Sequence, residues 1–267
     1  MPFRKTTITG TALITGASAG IGAELARVFA ARGHDVILVA RRQDALEALA
    51  GQLEGKHKVR ATVLPADLAL SSAPLELFES IRGAGLDVDI LVNNAGFGLH
   101  GEFLDTDIDR ELRMIQVNVA ALVHLTKLFA PPMVHRRRGG IMNVASIAGV
   151  FPGPYMSIYY ASKAFVLSFT ESLAQELRDS GVKVSALCPG PTTTEFHDVA
   201  GGKNTRLMTR GSVADARSVA EFGYKALQRG TVVAIPGVQN KLLVQAKRIA
   251  PRALVARLAR VAQEARK

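Results

Sequence analysis

Apolar residues along this chain fall into short unbroken runs, separated by longer stretches in which they recur every three or four positions. The runs lie at 11–15, 36–40, 59–64, 90–93, 140–145, 183–188 and 232–235. Unbroken apolarity over so few residues marks a strand buried on both faces, because a half-exposed strand would alternate. The periodic stretches predict helices near 21–31, 43–53, 74–82, 108–135, 158–180 and 213–228. Strands and helices alternate, so the expected class is α/β: a doubly wound parallel sheet with helices on both faces. No internal repeat, low-complexity segment or Pro/Gly-rich linker marks a boundary, so residues 1–240 read as a single domain, followed by a tail over 241–267.

Composition adds limits. At 267 residues and 48% hydrophobic content the chain can bury a sizeable core. No apolar run approaches the roughly 20 residues of a membrane span. The opening Met1-Pro-Phe-Arg-Lys-Thr-Thr7 leads straight into a strand-like segment, so no signal peptide is expected. Cys188 is the single cysteine, which excludes an intramolecular disulfide and fits a reducing compartment such as the cytoplasm. It sits in an apolar run and reads as core.

Charge changes the picture more. The net charge is +10, and residues 241–267 carry eight Lys/Arg against Glu264, a net of +7 that leaves +3 for the first 240. Within this tail Leu242, Leu243, Ala246, Ile249, Ala253, Leu254, Leu258 and Val261 recur at helical spacing, with basic residues between them. Pro251 divides the tail into two short helices. Such a segment can lie on anionic lipid at a membrane periphery, meet another subunit, or cover the chain's own cleft. The first two are favoured equally. No aromatics interleave with the charges, so nucleic acid is not an expected partner.

Two patterns carry chemistry. The first, Thr15-Gly-Ala-Ser-Ala-Gly-Ile-Gly22, joins the first predicted strand to the first helix. Gly16, Gly20 and Gly22 let the backbone approach a pyrophosphate, and the helix N-terminus that follows offers amides and a favourable dipole. The second is Tyr159-Tyr-Ala-Ser-Lys163, which sets a phenol and an ammonium one turn apart on one helical face. A phenol with a pKa of about 10 is a poor acid or base near neutrality. A neighbouring ammonium favours the phenolate and is expected to lower that value. Upstream, Gly140-Ile-Met-Asn-Val-Ala-Ser146 reads as a buried strand that delivers a serine hydroxyl. A hydrolytic Ser146 would need a histidine, and the candidates His124 and His135 lie in a helical segment with no evident path to it. The six histidines are scattered and there is no cysteine pair, so no metal site is expected.

Residues 15–22, Asn93-Asn-Ala-Gly96, Asn118, Ser146, Tyr159-x-x-x-Lys163 and Pro189-Gly190 stand in the order and approximate spacing of one family. From about residue 10 to 236 the chain resembles the short-chain dehydrogenases/reductases. That resemblance implies a Rossmann fold and oxidoreduction between a carbonyl and a secondary alcohol. It implies Tyr159 as catalytic acid/base, Ser146 as holder of the substrate oxygen, Lys163 as ribose ligand and aid to Tyr159, and Asn118 as support for a proton-relay water. Thirteen residues from Ser146 to Tyr159 match the family's spacing, which leaves Tyr160 as packing or pocket wall. For the cofactor it implies Gly16, Ser18, Ala19, Gly20, Ile21 and Gly22 in the turn, and Asp67 and Leu68 at the adenine. Asn94, Ala95 and Gly96 would line the cleft beside Tyr159 and Lys163. Pro189, Gly190, Thr192 and Thr194 would meet the carboxamide, although the family often has an aliphatic residue where Thr192 stands. Arg41 and Arg42 follow the second strand, where NAD-preferring enzymes carry an acid. Two guanidinium groups suit a 2′-phosphate, so NADP(H) is the expected cofactor. Ser18 and Ala19 stand where some NADP-dependent relatives carry a further basic residue.

The substrate is less legible. Residues 97–100 head toward its side, and Phe151, Tyr155, Phe196 and Leu207 are the candidate pocket walls. They suggest a hydrophobic ketone, steroid or 3-oxoacyl compound. Residues 195–212, with Gly201-Gly202, are poorly patterned, as a mobile lid is. His135-Arg-Arg-Arg138 reads as a solvated loop. The expected partners are a small-molecule substrate and further copies of the chain, as a homodimer or homotetramer. The alternative is a non-catalytic nucleotide-binding or regulatory protein of the same fold. A mere binder has no need of Ser146 and Tyr159 together.

Overall fold

Each apolar run becomes a strand of one parallel sheet. A computed structural model describes residues 7–196, 200–201 and 213–264. In it β1 (Ala12–Thr15), β2 (Val36–Ala40), β3 (Ala61–Pro65), β4 (Ile90–Asn93), β5 (Gly139–Val144), β6 (Val182–Leu187) and β7 (Val233–Ala234) line up in the order β3-β2-β1-β4-β5-β6-β7. Every pairing is parallel, with Leu13 beside Ile37 and Leu91, and Ile141 beside Leu91 and Val184. The pleat sends neighbours to opposite faces. Ile14, Leu38, Val92 and Met142 join one buried cluster with α1 (Gly20–Ala30), α2 (Gln43–His57) and α7 (Ala216–Arg229). Leu13, Ile37, Leu91 and Ile141 join the other with α3 (Ala73–Gly83), α5 (Leu122–His135) and α6 (Ser157–Glu176). Burial on both faces is the reason that the strands read as unbroken apolar runs.

Strand order reverses between β1 and β4, which opens a crevice at the carboxyl edge of the sheet. The long helix expected over 108–135 is interrupted there. α4 (Ile108–Ile115) passes through a π turn, Gln116–Ala121, before α5 begins. Ile108–His135 is long and apolar enough to cross a membrane by length and composition alone. Its inner side, with Leu125, Phe129 and Met133, is nevertheless part of the core.

A buried polar ladder ties the centre together. Asn93 Nδ2 donates to Asn143 Oδ1 (2.9 Å) and Thr126 Oγ1 (3.0 Å), and Asn143 Nδ2 donates to Thr170 Oγ1 on α6 (2.9 Å). Cys188 is core, as expected, and burial pushes its thiol up to about 12. The basic turn at 135–138 is more than a solvated loop. Arg138 reaches buried Asp89 at 2.8 Å and Arg136 reaches Asp87 at 3.1 Å, while Asp89 also accepts from the Thr11 amide. The tail forms α8 (Val238–Ile249) and α9 (Arg252–Gln263), divided at Pro251. Most of the expected lid at 195–212, Leu207 included, lies outside the described residues.

Candidate active site

The crevice deepens into one continuous cavity of about 970 Å³. Its first end is made of backbone. Gly16 and Gly20 have φ of +66° and +54°, which only glycine adopts without strain. A Cβ on Gly22 would lie 2.1 Å from the Gly16 carbonyl oxygen, so turn and helix start meet in near contact. α1 begins there with no side-chain cap and no acid in its first turn, which leaves its amides free for an anion. The turn is braced from β4. Thr15 Oγ1 accepts from the Asn94 and Ala95 amides (both 3.0 Å), and Asn94 Nδ2 donates to the Thr15 and Gly16 carbonyls (2.9 and 3.2 Å). The side chain of Asn94 therefore holds the turn from a position on the cavity wall. The part played by Thr15 was not read from the sequence, where it appears only as a strand end.

Arg41, Arg42, Asp67 and Leu68 line the same end. Arg42 Nη2 bonds the Ser18 carbonyl (3.2 Å) and Glu195 Oε2 (3.0 Å), across the cavity's rim. Asp67 Oδ1 accepts from the Ala69 amide (3.1 Å) and Oδ2 from Arg113 (3.4 Å), fixing the turn after β3. Thr194 stands over Gly20, where a Cβ would come within 3.0 Å of its methyl group. Thr192 is buried and donates to the Gly190 carbonyl (2.9 Å), so its hydroxyl is already engaged.

Midway along, β5 delivers Ser146 and α6 delivers Tyr159. Ser146 Oγ caps the short 3₁₀ turn Ile147–Val150 by accepting from Ala148 N (3.1 Å), and it donates to the Pro189 carbonyl (3.3 Å). The Tyr159 phenol lies beside the Ser146 side chain on the cavity wall. Burial raises its pKa above the ordinary value, the Ser146 hydroxyl works against this, and Tyr160 adds to the rise. This reverses the sequence expectation. Lys163 Nζ turns away to donate to the Val144 carbonyl (2.8 Å) and sits 5.9 Å from the Tyr159 ring centre. Burial brings the ammonium of Lys163 itself down to about 8. At Tyr159 it is desolvation that sets the direction.

Asn118 lies in the π turn and grips Phe97 twice. Its Oδ1 accepts from Phe97 N (3.1 Å), while Nδ2 donates to Phe97 O (3.0 Å) and to Ser162 Oγ (3.1 Å). A Cβ on Gly96 would meet Asn118 Oδ1 at 3.0 Å and Lys163 Nζ at 3.4 Å, so the three form one corner. Tyr160 is part of the cavity wall. Its ring covers Gly153, and its hydroxyl accepts from the buried Gln263 side chain of α9. Neither His124 nor His135 lines the cavity, and among the described residues no group of acids, histidines and cysteines could hold a metal ion.

The second end is apolar. Phe97, Phe151, Met156 and Phe196 wall it, and α8 and α9 roof it with Leu243, Val255, Leu258 and Ala262. Tyr155, a sequence candidate for this wall, is displaced from it. With φ of +65° it stacks on His100 (5.9 Å) and accepts from Arg260 (3.3 Å). The roof was the least favoured of the three roles read from the tail. Its amphipathic pattern marked two helices without saying what their inner faces would touch.

Residues 10–204 match the model of the short chain dehydrogenase family. A very-long-chain 3-oxoacyl-CoA reductase from Macaca fascicularis is 36% identical over 184 residues, 67% of this chain and 58% of the relative. The chain spans about three-fifths of the length of this and the similarly named reductases it matches. A short-chain dehydrogenase from Sphingobium yanoikuyae, solved in complex with NADPH, is 36% identical with a TM-score of 0.81, covering 90% of this chain and 94% of that one. A bulky-bulky ketone specific alcohol dehydrogenase from Comamonas testosteroni is 33% identical with a TM-score of 0.76, covering 91% and 93%.

Proposed function

We propose that this chain, which belongs to the short chain dehydrogenase family, is an NADP(H)-dependent oxidoreductase that interconverts a carbonyl and a secondary alcohol on a hydrophobic substrate. One observation carries the reading: the Ser146 hydroxyl and the Tyr159 phenol stand side by side on a cavity that is backbone-lined at one end and apolar at the other. A hydroxyl and a phenol converging on one oxygen stabilise the charge that develops there during reduction. Burial keeps Tyr159 neutral, which is the form that donates a proton to that oxygen.

The residues present fit a dinucleotide phosphate. The uncapped start of α1, a turn too tight for any side chain at Gly22, and the exposed Arg41 and Arg42 would hold it. When bound, NADP(H) supplies or takes the hydride. Lys163 would orient the ribose and aid the proton's path, and Asn118 fixes the Phe97 backbone beside it. Arg41 and Arg42 favour NADP(H) over NAD(H), and the NADPH complex of the Sphingobium neighbour supports that preference. The ketone named for the Comamonas neighbour and the 3-oxoacyl compound named for the Macaca relative support a bulky, largely apolar substrate.

The same reading has the chain act in the cytoplasm, at a membrane periphery, as a homodimer or homotetramer. Ile108, Leu112 and Ile115 on the outer side of α4, with Phe165 on α6, leave an exposed apolar face that supports contact between copies. The test is a panel of bulky ketones with NADPH consumption as readout. Wild type should turn over at least one of them. Tyr159→Phe should lose about 10²–10⁴-fold in kcat with NADPH affinity nearly unchanged, while Tyr160→Phe stays active. A silent panel despite tight NADPH binding would favour the non-catalytic alternative.

A further inference from the structure

The roof of the substrate end has two faces, and only the inner one is accounted for by the cavity. Among the described residues sixteen large apolar side chains are exposed, and seven of these lie within residues 238–261. Val238, Leu242, Ile249, Leu254 and Val261 are exposed without lining the cavity, and Ile249 is 89% exposed. Lys241, Arg252, Arg257 and Arg260 stand exposed among them. Glu264, the only acid of the two helices and their ends, already faces Arg260 at 3.8 Å. The outer face is therefore apolar and cationic at once.

That combination selects its occupant. Two copies meeting through this face about a two-fold axis would set its cations against each other. An anionic bilayer accepts both components, since its phosphates and carboxylates attract the cations while its acyl boundary takes the aliphatic side chains. Leu243 and Leu258 settle where the cavity opens. Both line it, and both are half or more exposed, at 50% and 62%, so its mouth lies on this same face.

We propose that the outer face of α8 and α9 docks on an anionic membrane, and that the cavity mouth at Leu243 and Leu258 then opens into the lipid. An apolar carbonyl compound would pass from the bilayer to Tyr159 without crossing water. The route rests on the hydrophobic substrate proposed above, whereas the docking does not.

The test uses the full chain with vesicles of phosphatidylcholine, alone or mixed with phosphatidylserine. The variant is Leu242→Gln, Ile249→Gln and Leu254→Gln together, which keeps every charge and touches no cavity residue. Wild type should co-sediment with the serine-containing vesicles at low salt and leave them as salt rises. The variant should bind at least about tenfold more weakly, because one aliphatic side chain kept from lipid already accounts for such a factor. Its kcat/KM should fall likewise for a vesicle-borne ketone and stay unchanged for a water-soluble one. Equal vesicle binding by variant and wild type would overturn the docking, as would a dimer mass that only the wild type shows. Equal rates of the two proteins on the vesicle-borne ketone would overturn the route. Co-sedimentation needs no turnover, so a failed carbonyl panel and a failed docking are separable results.

Discussion

At its nucleotide end the cavity is walled by backbone at the strand tips, and each part of that wall is fixed by several partners. The Gly16 turn is held by Asn94, by Thr15 and by the near contact at Gly22. At its substrate end the cavity is walled by aliphatic and aromatic side chains on two helices that follow the sheet, held by few polar contacts such as that of Gln263 with Tyr160. The first end admits one shape of ligand. The second can repack, because dispersion contacts are individually weak and non-directional. A site so divided keeps its chemistry constant and leaves its substrate range to the roof.

Three substitutions test that division. Gly22→Ala should have the largest effect, because its Cβ would be driven onto a backbone oxygen that the Asn94 side-chain amide holds in place. NADPH affinity, read by fluorescence titration, should fall by about a hundredfold, corresponding to about 3 kcal/mol of overpacking. A binding constant left intact would mean that the turn yields, and the contrast between the two ends would collapse. Arg41→Asp should come next. Losing one charge-assisted phosphate contact and gaining a repulsive acid should move the NADH-to-NADPH preference by roughly ten- to a hundredfold. An unchanged ratio there and in the Arg41/Arg42 double variant would put the 2′-phosphate elsewhere. Gln263→Ala should have the smallest effect. One hydrogen bond of about 0.5–1.5 kcal/mol predicts a KM for bulky ketones raised about two- to tenfold, with kcat nearly constant. A large drop in kcat would instead tie the roof to the chemistry.

The same division decided what the sequence could disclose. β2 and β4 match their expected limits because unbroken apolar runs report double burial directly. The glycine turn, Ser146, Tyr159 and Lys163 were legible because their spacing reflects local geometry. The π turn at Gln116–Ala121 was not, since it goes with a grip by Asn118 on Phe97, 21 residues away. The pKa of Tyr159 was misjudged for a related reason. Sequence shows the lysine one turn on, but not the Val144 carbonyl that draws it aside nor the burial that raises the phenol's pKa. Tyr155 failed as a pocket wall because its left-handed backbone turns it toward His100 and α9. The tail announced helices but not their neighbours.

The buried ladder through Asn93, Asn143 and Thr170 has a consequence for which phenol is used. Tyr159 and Tyr160 are adjacent on α6, so a rotation of that helix by about 100° would present the second in place of the first. Apolar packing alone would resist such a turn weakly, since one aliphatic row can replace another. Thr170 accepts from Asn143 and Lys163 donates to the Val144 carbonyl, two neighbouring positions of β5 reached from points two helical turns apart. Any rotation or slide of α6 would strip both bonds in the dry interior, where unpaired polar groups are most costly. The polar pair thus works as a key in a lock barrel: it fits the helix to the sheet in one setting, and that setting hands Tyr159 to Ser146.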